Sequence, residues 1–425
     1  MRLPRSLLFF AATAIAFLLQ LFPYTGVFLM VLGAPFWSVI LINLGFIGVG
    51  AEAAAGKVGK GWMILPIAWF VGYAGYALGD HQILWNLKHQ IATSNADVLI
   101  PFDPSRQALV FEGSISGNWL VNNYALPVVY RRSDEEGEWH YRSTRLVDRT
   151  ECDRIRRDKS LRGTGISVFG FHDRDGLLGS GKFETRFCDM GQPEDPILPV
   201  ALVRRSESNR IVSGLPVTDI VTTVALPDGS VFSLSGGHAA PLGWIPKLVM
   251  GCALNSAAPS WDCTAGFVRD RFTQLNDTDL RYGSDDIVLA RALGLKPVAP
   301  SDRQAGDPKQ VRADTAAALK RVLDEQTANL DRALRDPGAQ IGSVPFPALR
   351  GRMDIILPRL DAMVLTVERG VELRHNARSN AQQIFHLIMQ APADEIAPYR
   401  ARLEALKTKD NWFVFAPNPI DVRAN

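Results

Sequence analysis

Three apolar stretches lie within the first 80 residues, and they constrain the fold more than any other feature of the chain. They run from Leu7 to Phe22, from Gly26 to Ala51 and from Trp62 to Leu78. A helix needs about 20 apolar residues to cross the hydrocarbon core of a bilayer. The pattern therefore predicts a three-helix transmembrane anchor over residues 1–79, with a tight turn at Pro23–Gly26 that makes the first two helices a hairpin.

Basic residues beside these stretches predict their orientation. Arg2 and Arg5 precede the first stretch, and Lys57 and Lys60 lie between the second and the third, whereas the turn between the first two has no charge. Basic flanks favour the cytoplasmic side of a membrane. We therefore expect a cytoplasmic N-terminus and place residues 80–425 in the periplasm, on the outer face of a bacterial inner membrane. The bacterial assignment depends on the excess of Arg over Lys and on the Ala-rich composition.

A cleavable signal peptide is the alternative for residues 1–22, which have a basic start and a short apolar region. No clear Ala-x-Ala site follows, and another apolar run begins at once. Cleavage would remove one crossing but would leave residues 80–425 on the same side.

Small residues on the third helix indicate close helix packing. Small-x-x-x-small spacing lets two helix backbones approach each other in lipid. The face would pack either against the other two helices of the anchor or against a partner helix, including one from a second copy of the chain. Its residues are Ala68, Gly72, Gly75 and Gly79. Asn43, inside the second stretch, is interpreted either as an interhelical hydrogen bond or as a polar site.

Composition excludes two classes of protein. A formal net charge of +2 does not favour a nucleic-acid-binding protein, and 47% hydrophobic residues exclude general disorder. Residues 1–79 contain four basic residues and one acidic residue, so the rest of the chain is close to neutral. The length of 425 residues allows roughly two or three domains.

All four cysteines follow the predicted anchor, and they are Cys152, Cys188, Cys252 and Cys263. An even number in an external region is typical of disulfides formed in an oxidising compartment. Three pairings are possible, and we favour Cys152–Cys188 with Cys252–Cys263 because sequential pairs close the shortest loops. Four free thiols are an alternative, and zinc is a weaker one because no Cys-x-x-Cys spacing occurs.

The third helix is expected to continue into a juxtamembrane helix over residues 80–96, with an apolar stripe at Ile83, Leu84, Leu87 and Ile91. A second stripe carries His81, Trp85 and His89. We interpret this stripe as a membrane-interface face, with a metal site or pH sensor as the alternative.

Residues 97–295 are predicted to form a β-rich domain, because short runs of β-branched and aromatic residues alternate with turns. Pro227–Ser230 is the clearest hairpin turn, and the number of strands predicts an antiparallel sandwich or barrel. The predicted strands are Val98–Pro101, Ala108–Glu112, Ala125–Tyr130, Trp139–Leu146, Gly165–Phe171, Phe183–Phe187, Ile197–Arg204, Ile220–Leu226 and Val231–Leu234.

A linker is predicted at residues 296–311 and an α-helical domain at residues 312–425. The predicted helices are Asp314–Arg335, Met353–Arg378, Ala381–Met389 and Ala393–Lys407, and Asn411–Phe415 is expected to dock as a strand. The expected fold class is thus an α+β membrane protein, with three N-terminal transmembrane helices, an antiparallel β-rich extracytoplasmic domain and a C-terminal α-helical domain.

Three polar groups are weak candidates for chemistry. Asp173, Asp175 and Glu184 match positions 1, 3 and 12 of a calcium loop, but Leu177 and Leu178 stand where an oxygen ligand and a glycine are needed. A hairpin turn explains these residues equally well. His238 follows two glycines and is a candidate general base without a marked nucleophile. Mixed charges over Arg131–Arg162 indicate a solvated surface, with a phosphate or lipid-headgroup groove at Arg154, Arg156 and Arg157 as the alternative.

No Walker loop, His-Glu-x-x-His motif or dinucleotide fingerprint occurs, and we predict no cofactor. We expect an interaction or assembly subunit of a cell-envelope complex, whose partners are the lipid bilayer and other proteins or a second copy. The sequence leaves open whether the chain is an enzyme, and the absence of these motifs favours a non-enzyme. The alternatives are a membrane-anchored, hydrolase-like enzyme acting on an envelope substrate and a ligand-sensing membrane protein.

Overall fold

The computed structural model describes residues 3–113, 117–135, 138–171, 184–255, 260–269, 272–276, 284–341, 346–372 and 376–409. The fold is mixed α+β, with a large antiparallel-rich sheet and helices. The helices are α1 Leu7–Gln20, α2 Pro23–Val31, α3 Ala34–Ala54, α4 Ile64–Asn95, α5 Asn118–Tyr124, α6 Arg149–Arg157, α7 Ser284–Ala292, α8 Pro308–Arg335, α9 Met353–Ile356, α10 Leu360–Glu372, α11 Asn376–Ile388, α12 Ala393–Ile396 and α13 Arg400–Lys409. The strands are β1 Ala108–Glu112, β2 Val129–Glu135, β3 Glu138–Asp148, β4 Ser167–Phe169, β5 Phe187–Pro193, β6 Val200–Val212, β7 Leu215–Ala225, β8 Val231–Ala239, β9 Leu248–Asn255, β10 Ser260–Phe267 and β11 Thr273–Gln274.

The chain divides into two compact units by its internal contacts. Unit 1 contains Met1–Val98, Arg205–Thr222 and Ser233–Leu289. Unit 2 contains Leu99–Arg204, Thr223–Phe232 and Ala290–Asn425. The domain boundaries expected from the sequence stay a prediction.

The apolar N-terminal helices of unit 1 differ from the expected hairpin. Helices α3 and α4 are each long and apolar enough to cross a membrane, and α1 with α2 would make a third span only as a pair bent by 120°. Pro23 does not form a turn but begins α2, because proline fits the first turn of a helix. Gly33 adopts φ +66° and Pro35 lies in the first turn of α3, so the second span begins at Ala34 and not at Gly26.

Helix α4 extends well beyond the predicted span, to Asn95. Its C-terminal half buries the apolar stripe predicted from the sequence, since Leu84, Leu87 and Ile91 pack on residues of β7 and β8 and on Leu275, which follows β11 in the same unit. In unit 1 these strands follow the order β11-β8-β7-β6. The expected continuation of the third helix is therefore confirmed.

The strands of unit 2 follow the order β6-β1-β2-β3-β5-β4. The pairs β2–β3, β3–β5 and β4–β5 are antiparallel, but β1 runs parallel to both β2 and β6. Parallel neighbours need a crossover connection, and α5 lies in the connection from β1 to β2. The purely antiparallel expectation is thus wrong at β1.

Helices, and not a second sheet, cover the strands of unit 2. One core combines Val147, Cys188 and Met190 of β3 and β5 with residues of α6 and α8. Helix α6 lies in the charge-dense segment, for which no helix was predicted from the sequence. The sandwich or barrel expected from the many strands is therefore not found in the described residues. Val98–Pro101 is also not a strand.

The C-terminal helices of unit 2 share a separate apolar core. It is formed by α8, α10, α11 and α13, with Leu330, Met363 and Ile384 fully buried. Pro358 and Pro398 each lie in a short 3-10 turn that divides the predicted helices, because proline interrupts helical hydrogen bonding. Asn411–Phe415 lies outside the described residues.

Candidate functional site

The polar residues of the predicted membrane helices meet the β9–β10 hairpin, the antiparallel pair that forms its own two-stranded sheet. Ser38 Oγ of α3 accepts a hydrogen bond from the Met250 amide at 2.9 Å and lies 2.8 Å from the Leu248 carbonyl oxygen. Asn43 Nδ2 of α3 donates to the Pro246 carbonyl oxygen at 2.7 Å. These contacts tie the hairpin to the apolar helices of unit 1.

A third polar side chain completes the same edge of β9. Gln20 Oε1, at the end of α1, accepts a hydrogen bond from the Cys252 amide at 3.4 Å. Alternate residues of a strand turn their amide and carbonyl groups toward the same edge, and positions 246, 248, 250 and 252 share that alternation. Because unpaired backbone groups are costly away from water, helix side chains here take the place of a neighbouring strand.

The hairpin packs closely on α1, α2 and α3 at two glycines, Gly26 of α2 and Gly251 of β9. The Trp261 indole donates from Nε1 to the Gln20 carbonyl oxygen at 2.5 Å. A Cβ atom at Gly26 would lie 2.3 Å from Cζ2 of that indole, and a Cβ atom at Gly251 would lie 2.5 Å from Cβ of Pro35. Glycine at both positions is therefore required by the packing.

Asn43 also makes the interhelical hydrogen bond that was one of its two interpretations. Its Oδ1 accepts from Trp69 Nε1 of α4 at 3.1 Å. Trp69 stacks on Phe46 with ring centroids 4.7 Å apart and contacts Phe267 of β10 at 5.6 Å. Asn43 thus joins α3, α4 and the base of the hairpin.

An ion pair fixes the base of the hairpin on α4. Arg269 Nη1 lies 2.6 Å from Asp80 Oδ2, and the Asp80 side chain is 1% exposed. Arg269 also donates to the carbonyl oxygen atoms of Ala240 and Gly214, and the Leu242 amide donates to Asp80. The segments before β9 and after β10 are therefore both attached to the point where α4 leaves its apolar part.

The predicted small-residue face of α4 is exposed. Ala68, Gly72, Gly75 and Gly79 are all accessible, and a Cβ atom built at any of the three glycines would meet no described atom within 4 Å. The contrast with α3 is sharp, because Cβ atoms at Gly45 and Gly48 would collide with Phe10 and Ser6 of the α1 region. Within the described residues, the close approach of α1 and α3 thus depends on glycines of α3.

Both predicted cysteine pairs lie at disulfide distance. The sulfur atoms of Cys152 and Cys188 are 2.06 Å apart, and those of Cys252 and Cys263 are 2.03 Å apart. The first pair joins α6 to β5 inside the core of unit 2, and the second joins β9 to β10. The pairing favoured from the sequence is therefore the one in the structure.

His238 lies on β8 of unit 1, opposite Gln274 of β11, with its ring edge-on to Phe272 at 4.4 Å. The nearby Asp285 accepts a hydrogen bond from Asn276. Burial raises the pKa of Asp285, against the opposing charge of Arg205. Among the described residues, no hydroxyl or carboxylate oxygen hydrogen-bonds to the His238 imidazole. The described part of this site offers two titratable groups but no nucleophile.

The other predicted candidates are placed as follows. Asp173 and Asp175 lie outside the described residues. Glu184 is paired with Arg186 and Arg303 in unit 2. Burial opposes its ionisation, but the hydrogen bonds from Arg186 and the charge of Arg303 hold the pKa of Glu184 below its usual value. No cluster of three or more metal-ligating side chains occurs in the described ranges.

The basic segment forms a groove of about 640 Å³ around α6 in unit 2. Arg154 pairs with the buried Glu151, which also binds Arg312, and Arg156 pairs with Asp153. Most of the lining cations thus have acidic partners, as the mixed charge pattern predicted.

His81 and His89 do not share a site, since His81 stacks on Trp244 and His89 on Trp85.

No family model matches the chain, and no curated protein and no solved structure matches it.

The common role of Gln20, Ser38 and Asn43 was not predicted from the sequence. Their signal was present, because they are the strongly polar residues that interrupt the first two apolar stretches.

Proposed function

We propose that the chain is a subunit anchored in a bacterial inner membrane by its N-terminal helices, which binds other components of the cell envelope through α4 and its extracytoplasmic part. The N-terminus would be cytoplasmic and residues 80–425 periplasmic. Three membrane crossings are needed for this arrangement, so α1 and α2 together would supply the first.

Contacts at one end of the anchor support this orientation. Glu52, near the end of α3, accepts hydrogen bonds from the Arg5 and Ser6 amides at 2.8 and 3.0 Å. Arg5, before α1, and the basic residues after α3 therefore belong to the same end of the helix pair. Basic segments on one side of a membrane favour the cytoplasm.

The exposed small-residue face of α4 is the observation that carries the binding function. In lipid, helix association depends on close packing, which small residues allow. Phe10 and Ser6 occupy the space beside Gly45 and Gly48 of α3, whereas a Cβ atom at Gly72, Gly75 or Gly79 would meet no described atom within 4 Å. We infer that this face receives a helix of another membrane subunit or of a second copy.

A substitution on this face tests the proposal. Gly75→Leu should prevent close approach of the partner helix, so the protein purified from solubilised membranes should lose its co-purifying subunit or fall to the monomer mass. Ile67→Phe is the control, because it also adds bulk to an exposed position of α4 but lies about 80° around the helix from Gly75, on the side away from the other small residues. Unchanged association in Gly75→Leu, or a wild-type protein recovered alone as a monomer, would contradict the proposal.

Fusion of a periplasm-dependent reporter enzyme tests the orientation. Alkaline phosphatase fused after residue 409 should be active, and the same enzyme inserted at Gly59, between the basic residues Lys57 and Lys60, should be inactive. The reverse pattern would show that the anchor has the opposite orientation.

A further inference from the structure

The base of the β9–β10 hairpin has an apolar surface that the anchor helices leave uncovered. Ile245 is 64% exposed, and Trp244, Val268 and Phe272 are exposed as well. Trp244 and Ile245 lie just before β9 and Val268 directly follows β10, whereas Phe272 directly precedes β11. The chain thus presents large apolar side chains on both segments that lead into the hairpin.

The hairpin base contacts the middle part of the apolar helices α3 and α4. Asn43, which binds the Pro246 carbonyl group, lies nine residues into α3, or about 13 Å along its axis at a rise of about 1.5 Å per residue. Phe267 contacts Trp69 and Tyr73 of α4, and the Tyr73 hydroxyl donates to the Gly243 carbonyl oxygen at 2.8 Å. These contacts place the segments beside parts of α3 and α4 that are apolar enough to cross a membrane.

The chemistry of the hairpin suits the outer half of a bilayer. One edge of β9 is already satisfied by Gln20, Ser38 and Asn43, so that edge needs no water. Trp244 stacks on His81, directly after the apolar part of α4, and tryptophan is favoured at the level of lipid headgroups. Asp262 and Thr264 lie on the exposed β10, where headgroup water can reach its backbone.

We propose that the hairpin base is a second membrane-contacting element, with Trp244, Ile245 and Val268 in contact with lipid in the outer half of the bilayer. The occupant of this surface is the same bilayer that the anchor helices would cross, because Asn43 of α3 and Trp69 and Tyr73 of α4 contact the same segments. This inference rests on the proposed anchor and goes beyond it, since the contact is made by residues distant in sequence from the anchor.

Spin labels at three exposed isoleucines test the inference. The described residues contain no free cysteine, so Ile245→Cys provides a single labelling site among them. Ile40→Cys on α3 is the lipid-facing control, with 62% exposure, and Ile211→Cys on β6 is the aqueous control, with 74% exposure. Each protein is reconstituted into vesicles of phosphatidylethanolamine and phosphatidylglycerol, and collisions with oxygen and with a water-soluble nickel complex are measured.

The nitroxide at residue 245 should be protected from nickel and accessible to oxygen, as at residue 40 and unlike residue 211. Nickel accessibility at residue 245 equal to that at residue 211 would overturn the lipid contact while leaving the anchor intact. Nickel accessibility at residue 40 would overturn the anchor and the inference together. Trp244→Phe gives a second measurement without a label, because it should remove a tryptophan emission component that brominated lipids quench; unchanged quenching would contradict the contact.

Discussion

Asp80 of α4 and Arg269, which follows β10, form an ion pair with 2.6 Å between Oδ2 and Nη1. The carboxylate is almost fully buried, and the guanidinium group also binds two backbone carbonyl oxygen atoms. A buried charge that loses its partner is strongly destabilising, whereas a buried pair replaced as a whole can be neutral. The pair therefore specifies where the hairpin base attaches to α4.

Arg269→Met should lower the free energy of unfolding by about 3–5 kcal/mol, because it leaves the Asp80 carboxylate buried without a cation. The double variant Arg269→Met with Asp80→Asn should recover part of this loss, because no unpaired charge is then left buried. Denaturant titration in detergent measures both values. Arg210→Met is the control, since Arg210 and Asp219 form an exposed pair whose loss should cost roughly 1 kcal/mol or less. Equal losses at Arg269 and Arg210 would contradict a specifying role for the buried pair.

Hydrogen exchange should distinguish the two helix side chains that accept from the β9 amides. Ser38→Ala should accelerate exchange of the Met250 amide and leave Cys252 unchanged, because Ser38 accepts from Met250 alone of the two. Gln20→Leu should have the opposite pattern, so each variant controls the other. Each lost hydrogen bond should also cost about 1–3 kcal/mol of stability. Identical exchange at both amides in both variants would show that the edge of β9 does not depend on these side chains.

The helices that are apolar enough to cross a membrane could be anticipated from the sequence, because apolar length is a local property. Their polar residues could not be placed, because the partners of Ser38, Asn43 and Gln20 lie 210, 203 and 232 residues away in the chain. The break at Gly33 was missed although Gly-Ala-Pro is a local signal for a new helix start, since hydrophobicity continues through it.

The strands were anticipated better than their arrangement. Ala108–Glu112 is β1 with the predicted bounds, and the turn at Pro227–Ser230 forms with Gly229 at φ +88°. Parallel pairing of β1 depends on β6, which lies about ninety residues further along the chain, and no local pattern reports such a pairing. The exposure of the α4 glycines likewise depends on where α1 and α3 pack. The spacing of these glycines along α4 does not report that position.

The two disulfides should contribute unequally to stability. Cys152 and Cys188 are 36 residues apart, and Cys252 and Cys263 are 11 apart, so the first bond constrains the unfolded chain more. Replacing Cys152 and Cys188 by alanine should cost about 2–4 kcal/mol, and replacing the other pair should cost less. Denaturant titration gives the costs, and non-reducing peptide mapping should recover both bonds. Four free thiols in purified protein would remove the main support for the external placement.

Asp189 of β5 should make unit 2 less stable as the pH rises through about 6. Its side chain is buried, and burial raises its pKa to about 6, although a hydrogen bond from Asn122 opposes the rise. A raised carboxyl pKa means that the folded state holds its proton more tightly than the unfolded state does. The resulting stability is complete below the unfolded pKa near 3.8 and is lost as the pH rises through 6.

Asp189→Asn should therefore raise the free energy of unfolding at pH above 7, by about 3 kcal/mol at most, because it removes the cost of a buried anion. The gain should shrink as the pH falls through 6 and should disappear below about pH 3.8, where aspartate is protonated in both the folded and the unfolded chain. Thermal unfolding across this pH range measures the effect. Asp324→Asn, at an exposed position of α8, is the control and should change stability little at any pH. A gain for Asp189→Asn that does not vary with pH would exclude ionisation as its cause.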